Sequence, residues 1–147
     1  MDILVIEDDH RTGERIGERI ERAGHRAVHC GDARSALRTA ALRPFGLILP
    51  DLFLPDAKGH TILPLLRELQ PETVIVVLTG CNSRELELKV RKLGVAGYPI
   101  KPIGNGLLAS LITHVAKRRG LPQESKPGEP PGQRQQNHVH IPWRGIQ

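Results

Sequence analysis

Acidic side chains stand at two points of this 147-residue sequence where short apolar segments end. Glu7, Asp8 and Asp9 directly follow one apolar segment, and Asp51 directly follows another. If these segments are neighbouring parallel strands, their carboxyl ends bring the carboxylates together at one edge of a sheet. Two unit charges about 4 Å apart repel by roughly 4 kcal/mol at an effective dielectric constant of 20, so the cluster needs a cation. Hard oxygen ligands that leave room for water and a phosphate oxygen suit Mg²⁺.

Two further polar residues, Thr79 and Lys101, follow later apolar segments. Carboxylates, a hydroxyl and an ammonium group at one sheet edge together suit a phosphoryl group. A metal and the ammonium would neutralise charge on its equatorial oxygens, and the hydroxyl would donate a hydrogen bond. An aspartate in such a site can be the nucleophile that forms an acyl phosphate.

The elements that must position these residues follow from an alternation of short apolar and longer amphipathic segments, which predicts repeated β-α units. The predicted strands are residues 3–6, 27–30, 47–49, 74–78 and 96–100. Apolar residues recur at helical spacing in the five segments that follow them, as at Ile16 and Ile20 in the first. A parallel five-stranded sheet with five helices on its two faces is therefore expected.

Helix ends are marked by small polar residues and by glycines. Asp32 and Ser83 are placed to cap the second and fourth helices, and Gly24, Gly46 and Gly94 fall where helices should end. Two prolines complicate the strands. Pro50 removes an N–H from a central strand, and Pro99 removes one from the last strand, where an edge position makes the loss tolerable.

A change of composition after Arg119 divides the chain into a folded domain, residues 1–119, and a tail, residues 120–147, that is rich in Pro, Gly and Gln. Such a segment has too little apolar content to fold and is expected to be disordered. Its last ten residues, HVHIPWRGIQ, contain Trp143 and are either an unstructured end or a short docking segment.

Composition narrows the class of protein. Hydrophobic residues make up 39% and charged residues 25%, enough to build a core. The net charge of +5 raises the question of nucleic acid, but basic residues alternate with acidic ones as on a solvated helix face, so we expect no direct nucleic-acid contact.

Location is indicated by two further observations. Cys30 and Cys81 form no disulfide framework, and no apolar run approaches the roughly 18 residues of a membrane span. We therefore expect a cytoplasmic protein without a membrane contact.

Four sequence blocks, ILVIEDD, LILPDLFLPDAKG, VVLTG and GYPIKP, resemble the signature blocks of the response-regulator receiver family of bacterial two-component signalling. The resemblance covers residues 1–119 in order. It implies a single, chemotaxis-receiver-like domain with the flavodoxin-like doubly wound fold and strand order 2-1-3-4-5.

The resemblance also implies roles for the acidic residues. Asp51 would be the phosphoacceptor and Asp8 a direct ligand of Mg²⁺, with Glu7 acting through water. The backbone carbonyl of Phe53 would complete the protein's share of the metal shell. Asp9 is left without a certain role, and capping of the first helix by Glu7 and Asp8 is the structural alternative.

The remaining blocks imply the switch. Thr79 matches the switch hydroxyl, Lys101 the pocket lysine and Tyr98 the switch aromatic, although Tyr98 could serve only in packing. The peptide bond between Lys101 and Pro102 is expected to be cis.

The function implied is a phosphorelay switch rather than an enzyme with its own substrate. A histidine kinase or histidine phosphotransfer protein would donate the phosphoryl group, and a downstream protein, or a second copy in a phosphorylation-dependent homodimer, would bind the switched surface. Two alternatives remain open. One is a pseudo-receiver that binds partners without phosphorylation, and the other is an aspartyl-phosphate hydrolase, which would lack a general acid two residues after the nucleophile because Phe53 stands there.

Overall fold

The computed structural model describes residues 1–121, so the predicted tail lies outside the described residues apart from its first two positions. Strands and helices alternate through most of this range, as the sequence predicts. In chain order they are β1 (Asp2–Ile6), α1 (His10–Arg22), β2 (Arg26–Cys30), α2 (Ala33–Leu42), β3 (Leu47–Pro50), α3 (Gly59–Leu69), β4 (Val74–Ile75), α4 (Arg84–Arg91) and α5 (Asn105–Arg118). No helix within this range combines the length and the apolar character needed to cross a bilayer.

The four strands form one parallel sheet in the order β2-β1-β3-β4. Alternate side chains of each strand point to opposite faces, and each face carries its own apolar cluster. One cluster joins the sheet to α2, α3 and α4 through residues such as Ile48 and Leu66, and the other joins it to α1 and α5 through residues such as Ile20 and Leu111. The fold is the predicted flavodoxin-like, doubly wound α/β fold.

Side-chain caps begin three of the helices. The Asp32 carboxylate accepts the Ser35 N–H at 2.7 Å at the start of α2, and the Ser83 hydroxyl accepts the Leu86 N–H at 3.3 Å at the start of α4. Both caps confirm the sequence prediction. The cap of α1 is Asp9, whose carboxylate accepts the Thr12 N–H at 3.1 Å. The sequence alone assigns Asp9 no certain role, and the structure shows that it begins this helix.

Two of the three predicted helix-ending glycines are confirmed, and the third is wrong. Gly24 and Gly94 adopt φ values of 82° and 78°, the left-handed conformation that suits glycine after a helix. Gly46 does not end α2, which stops at Leu42. Its small size serves packing instead, because a Cβ there would lie 2.7 Å from the sulfur of Met1.

The fourth and fifth predicted strands are reduced in the structure. The fourth was expected over residues 74–78 but is regular only at Val74–Ile75, and the fifth, expected over residues 96–100, is represented by isolated parallel bridges. Val76 pairs with Gly97, and Thr79 pairs with Ile100. The chain at residues 97–100 therefore lies beside the extension of β4, in the position predicted for a fifth strand.

Two prolines explain the interrupted ladders. Pro50 accepts the Leu78 N–H at 2.9 Å, and Pro99 accepts the Thr79 N–H at 3.3 Å, so each proline occupies a ladder position. In a parallel ladder the same residue also donates its own N–H to the neighbouring strand, and proline has none. The carbonyls of residues 76 and 77, between the prolines, therefore lose their ladder donors.

Candidate functional site

The predicted pocket residues stand at the carboxyl edge of the sheet. Glu7 follows β1 and Asp51 follows β3, and the Asp51 N–H donates to the Ile6 carbonyl at 2.8 Å, which holds the two strand ends level. Thr79 and Lys101 are joined in the same way, because the Lys101 N–H donates to the Thr79 carbonyl at 2.7 Å. The four segments thus deliver their polar residues to one place.

Lys101 lies at the centre of this group. Its ammonium nitrogen is 2.6 Å from Oδ2 of Asp51 and also bonds Oε2 of Glu7. Glu7 is 1% exposed and Asp51 is 6% exposed, so the two carboxylates are buried, whereas the Lys101 side chain between them is partly exposed. The peptide bond between Lys101 and Pro102 is cis, as expected.

The charges of this cluster are adjusted by burial and by each other. Burial raises the pKa of Glu7, and the Lys101 ammonium opposes that shift. Burial alone would lower the pKa of Lys101, but its hydrogen bonds to Asp51 and Glu7 outweigh it and raise that pKa. The lysine therefore stays charged across the physiological range.

A metal ion is compatible with the acidic side chains. Glu7, Asp8 and Asp51 each offer one carboxylate oxygen, and these three oxygens lie within 4.8 Å of one another. Mg²⁺ holds its octahedral ligands at about 2.0–2.1 Å, which puts neighbouring ligand oxygens about 3 Å apart and opposite ones about 4.2 Å apart, so the three carboxylates would draw together around a shared ion. Asp8 is exposed, unlike the other two, and leaves an open side for water or phosphate. The donor set fits Mg²⁺.

Short backbone contacts orient the carboxylates. The Phe53 N–H donates to Oδ1 of Asp51 at 3.0 Å, and the Asp9 N–H donates to Oε1 of Glu7 at 3.1 Å. The Phe53 side chain itself is 56% exposed. Phe53 is thus fixed to the proposed phosphoacceptor through its backbone, which is consistent with the predicted use of its carbonyl as a ligand.

The predicted switch residues are both buried. Thr79 has no exposed surface, and its hydroxyl oxygen accepts the Cys81 N–H at 3.1 Å. Tyr98 is 7% exposed, and its hydroxyl makes no hydrogen bond of standard geometry among residues 1–121, although the Thr79 side chain is near enough to oppose the effect of burial on its pKa. Burial raises the pKa of Tyr98. The ring therefore already points inward in this structure.

A cleft of about 440 Å³ opens beside Asp8. The loop after Asp51 forms one wall with Leu52 and Phe53, and Leu86 of α4 contributes to another. Sequence reasoning did not predict this cleft, because it depends on how a loop and a distant helix approach each other.

Two residues that sequence reasoning missed support the loops around the pocket. The Asp56 carboxylate accepts the N–H groups of Ala33 and Arg34 at 2.8 and 3.0 Å, which ties the loop after Asp51 to the start of α2. These hydrogen bonds, that from Ala33 first, lower the pKa of Asp56. His29 bonds the Glu7 carbonyl at 2.7 Å. No sequence pattern identifies either contact, since each joins residues more than 20 positions apart.

Comparison with known proteins agrees with this geometry. Residues 3–113 match the family model of the response regulator receiver domain. The probable transcriptional regulatory protein SilR of Salmonella typhimurium is 28% identical over 118 residues, which cover 80% of this chain and 52% of SilR. The photosynthetic apparatus regulatory protein RegA of Cereibacter sphaeroides is 28% identical over 145 residues, covering 99% of this chain and 74% of RegA.

A solved structure is similar as well. It is a response regulator protein from Burkholderia pseudomallei with a phosphorylated aspartic acid, a calcium ion and citrate. The two chains are 29% identical with a TM-score of 0.71, over 81% of this chain and 71% of the other.

The family match spans most of the chain, so this protein belongs to the response regulator receiver domain family of two-component signalling. The chain spans about half the length of SilR. The similarity to such relatives therefore covers only part of their length, and it does not extend to the activity of the whole protein.

Proposed function

We propose that this chain accepts a phosphoryl group on Asp51 from a phosphohistidine, with Mg²⁺ in the acidic pocket, and thereby switches a protein-binding surface. The observation that carries the proposal is the Lys101 ammonium held between Asp51 and Glu7 beside the exposed Asp8. A nucleophilic carboxylate, a cation to pair with the incoming phosphoryl group and a set of metal ligands are thereby assembled at one point.

The transfer needs no other covalent chemistry from the protein. A carboxylate oxygen of Asp51 attacks phosphorus as the phosphorus–nitrogen bond to the donor histidine breaks. The imidazole keeps the electron pair of that bond, and the new phosphorus–oxygen bond makes an acyl phosphate. Lys101, now 2.6 Å from Asp51, is placed to pair with a phosphoryl oxygen. Mg²⁺ held by Asp8, Asp51, Glu7 through water and the Phe53 carbonyl would neutralise charge on the phosphoryl oxygens.

The structure of the Burkholderia pseudomallei relative supports the same site chemistry, since it contains a phosphorylated aspartic acid and a calcium ion. By analogy, a histidine kinase or histidine phosphotransfer protein would be the donor in the cytoplasm. A downstream protein, or a second copy of the chain, would be the target. We propose no direct contact of this domain with nucleic acid.

The switched surface would be formed by α4, residues 97–100 and α5. Movement of Thr79 toward the phosphoryl group would change the space behind it, where Tyr98 is packed. Allosteric couplings are typically about 1–3 kcal/mol, less than the roughly 5.5 kcal/mol needed to invert a 1:99 equilibrium, so the unphosphorylated domain would retain partial activity. Amide exchange over residues 80–105 should differ with and without a phosphate mimic, and identical exchange would contradict this switch.

The decisive experiment measures intact mass after incubation with a small phosphodonor and Mg²⁺. The wild-type protein should gain one phosphoryl group, and Asp51→Asn should gain none. Asp56→Asn is the matched control, because Asp56 is a nearby acid whose oxygens accept the N–H groups of α2. A full gain in Asp51→Asn would move the phosphoacceptor elsewhere, and no gain in the wild type would favour a pseudo-receiver.

A further inference from the structure

The side chain of His29 replaces a missing backbone donor at the end of the sheet. Glu7 extends the ladder between β1 and β2, because its N–H donates to the Cys30 carbonyl at 3.0 Å. In a regular parallel ladder the Glu7 carbonyl would next accept the N–H of residue 32. The chain turns away there, since Asp32 is already the cap of α2. Nε2 of His29 lies 2.7 Å from that carbonyl instead.

The direction of this hydrogen bond is fixed by chemistry. A backbone carbonyl oxygen can only accept, so Nε2 of His29 must carry the hydrogen. The bond ties the peptide plane that joins Glu7 to Asp8. That plane sets the direction in which the Asp8 side chain leaves the backbone.

The space for the ring is provided by a glycine in the first turns of α1. Gly13 is buried, and a Cβ there would lie 2.4 Å from both Cε1 and Nε2 of His29. Gly17, one turn later, is different, because its Cβ would meet only the Cβ of Ala27 at an ordinary 3.6 Å. The exposed His10 ring stacks on the His29 ring, with 5.9 Å between ring centroids and 22° between planes. The ring of His29, which is partly exposed, is thus positioned by its contact with Gly13, its stacking on His10 and its hydrogen bond to the Glu7 carbonyl.

We infer that His29 is a positioning residue for the metal pocket, which holds the Glu7–Asp8 peptide in the orientation that lets both carboxylates face Asp51. The inference rests on the proposed function for its biological meaning but concerns this chain's own geometry. Groups that orient metal ligands through a second hydrogen bond commonly change metal affinity by about 10- to 100-fold when removed.

The test compares two amides at the same position. His29→Gln places an amide N–H about where Nε2 stands, whereas His29→Asn is one methylene shorter and leaves the Glu7 carbonyl out of reach. Mn²⁺ binding to the unphosphorylated protein, followed by electron paramagnetic resonance, should weaken about tenfold in the Asn variant and stay near the wild-type value in the Gln variant. Amide exchange at Asp8 and Asp9 without metal should be faster in the Asn variant than in the Gln variant.

A matched pair on α1 provides the second arm. Gly13→Ala should displace the His29 ring and weaken Mn²⁺ binding as His29→Asn does, whereas Gly17→Ala should leave Mn²⁺ binding unchanged. If His29→Asn does not fold, the comparison of Gly13→Ala with Gly17→Ala tests the positioning role of His29. Wild-type Mn²⁺ affinity in both His29→Asn and Gly13→Ala, or equal weakening in the Asn and Gln variants, would overturn the inference. Wild-type protein that binds Mn²⁺ but takes up no phosphoryl group would instead contradict the proposed function and leave this inference standing.

Discussion

Buried polar groups are paired differently at the two edges of the sheet. At the amino edge, the buried Gln70 side chain accepts the Phe45 N–H at 2.9 Å and donates to the carbonyls of Ala40 and Arg43 at 2.8 and 2.6 Å. The Thr73 hydroxyl, also buried, bonds the Phe45 carbonyl at 2.8 Å and Gln70 at 3.0 Å. Each of these neutral groups has a partner, and the single Thr73 hydrogen is shared between two acceptors, the Phe45 carbonyl and the Gln70 side-chain oxygen.

The carboxyl edge is left incomplete. Its buried carboxylates, Glu7 and Asp51, share the one ammonium of Lys101, and the Tyr98 hydroxyl makes no hydrogen bond of standard geometry among the described residues. Two prolines also withhold donors from the chain after β4. The polar groups of the amino edge therefore stabilise the fold, whereas those of the carboxyl edge leave charges and hydrogen-bonding groups available to a ligand.

The largest effect on stability is expected at the amino edge. Gln70→Ala would leave one buried N–H and two carbonyl groups without their partner, and each such group costs about 1–3 kcal/mol. We expect the free energy of unfolding to fall by at least about 3 kcal/mol, measured by urea denaturation. Glu68→Ala, an exposed change in the last turn of α3 just before Gln70, should stay within about 0.5 kcal/mol of wild type. Equal effects of the two variants would contradict the stabilising role of the amino edge.

The rate at which the acyl phosphate is hydrolysed tests the proposed function of the carboxyl edge. Hydrolysis of the acyl phosphate on Asp51 needs an oriented water, but Phe53 offers no side-chain hydrogen bond and Cys81 offers a weak one. We expect a long-lived phosphoprotein, and Phe53→Asn combined with Cys81→Glu should speed phosphate loss by about 10²-fold, at the lower end of acid–base assistance. Intact mass against time measures this. Decay of the wild type within seconds, or no acceleration in the double variant, contradicts it.

The range of an interaction along the chain decides whether the sequence alone can predict it. The strand ends that carry Glu7, Asp51, Thr79 and Lys101 were predictable, because a parallel β-α alternation sends every strand's carboxyl end to one edge. The caps of α2 and α4 were predictable because each lies three residues from the N–H that it accepts.

The rest depends on packing between distant segments. The sequence predicts that Gly46 ends a helix, but its small size instead leaves room for Met1, which packs on it. The interruptions at Pro50 and Pro99 depend on which neighbour each proline faces. The role of His29 depends on Gly13, 16 positions away, leaving room for a ring.

Removing one charge from the carboxyl edge should stabilise the fold. Burial raises the pKa of Glu7 above its value in the unfolded chain, so its contribution to stability is fully present below about pH 4.5 and is lost as the pH rises through the folded-state pKa. Glu7→Gln does not titrate and avoids this loss. At pH 7 it should raise the free energy of unfolding by about 0.5–2 kcal/mol, as relief of functional-site strain commonly does. The gain should shrink toward pH 4, and a gain that grows toward pH 4 would contradict the assignment.

Asp2→Asn, at the amino edge, should show the opposite pH dependence with a smaller magnitude. A hydrogen bond from Arg43, together with the charge of Arg26, lowers the pKa of Asp2, so its contribution is present above about pH 3.8 and is lost as the pH falls through the folded-state pKa. The pairs are only partly buried, and the loss at pH 7 should be about 0.2–1 kcal/mol. Denaturation midpoints at pH 7 and pH 3 measure it, and a variant more stable than wild type at pH 7 would contradict it.

The smallest effect on the resting protein is expected for Tyr98→Phe. The buried Tyr98 hydroxyl makes no hydrogen bond of standard geometry within residues 1–121, and its interaction with the Thr79 side chain only partly offsets its burial, so its removal deletes a desolvated group and at most a weak contact. The free energy of unfolding should therefore stay unchanged or rise by up to about 1 kcal/mol.

The same variant separates packing from switching at Tyr98. If phosphorylation of Asp51 moves Thr79 and gives the hydroxyl a partner, Tyr98→Phe should lower stability only when a phosphate mimic is bound, by the roughly 0.5–1.5 kcal/mol of one hydrogen bond. Urea denaturation with and without the mimic makes the comparison. An equal effect in both states would assign Tyr98 to packing alone, and a loss above about 1 kcal/mol without the mimic would show that the hydroxyl is already bonded.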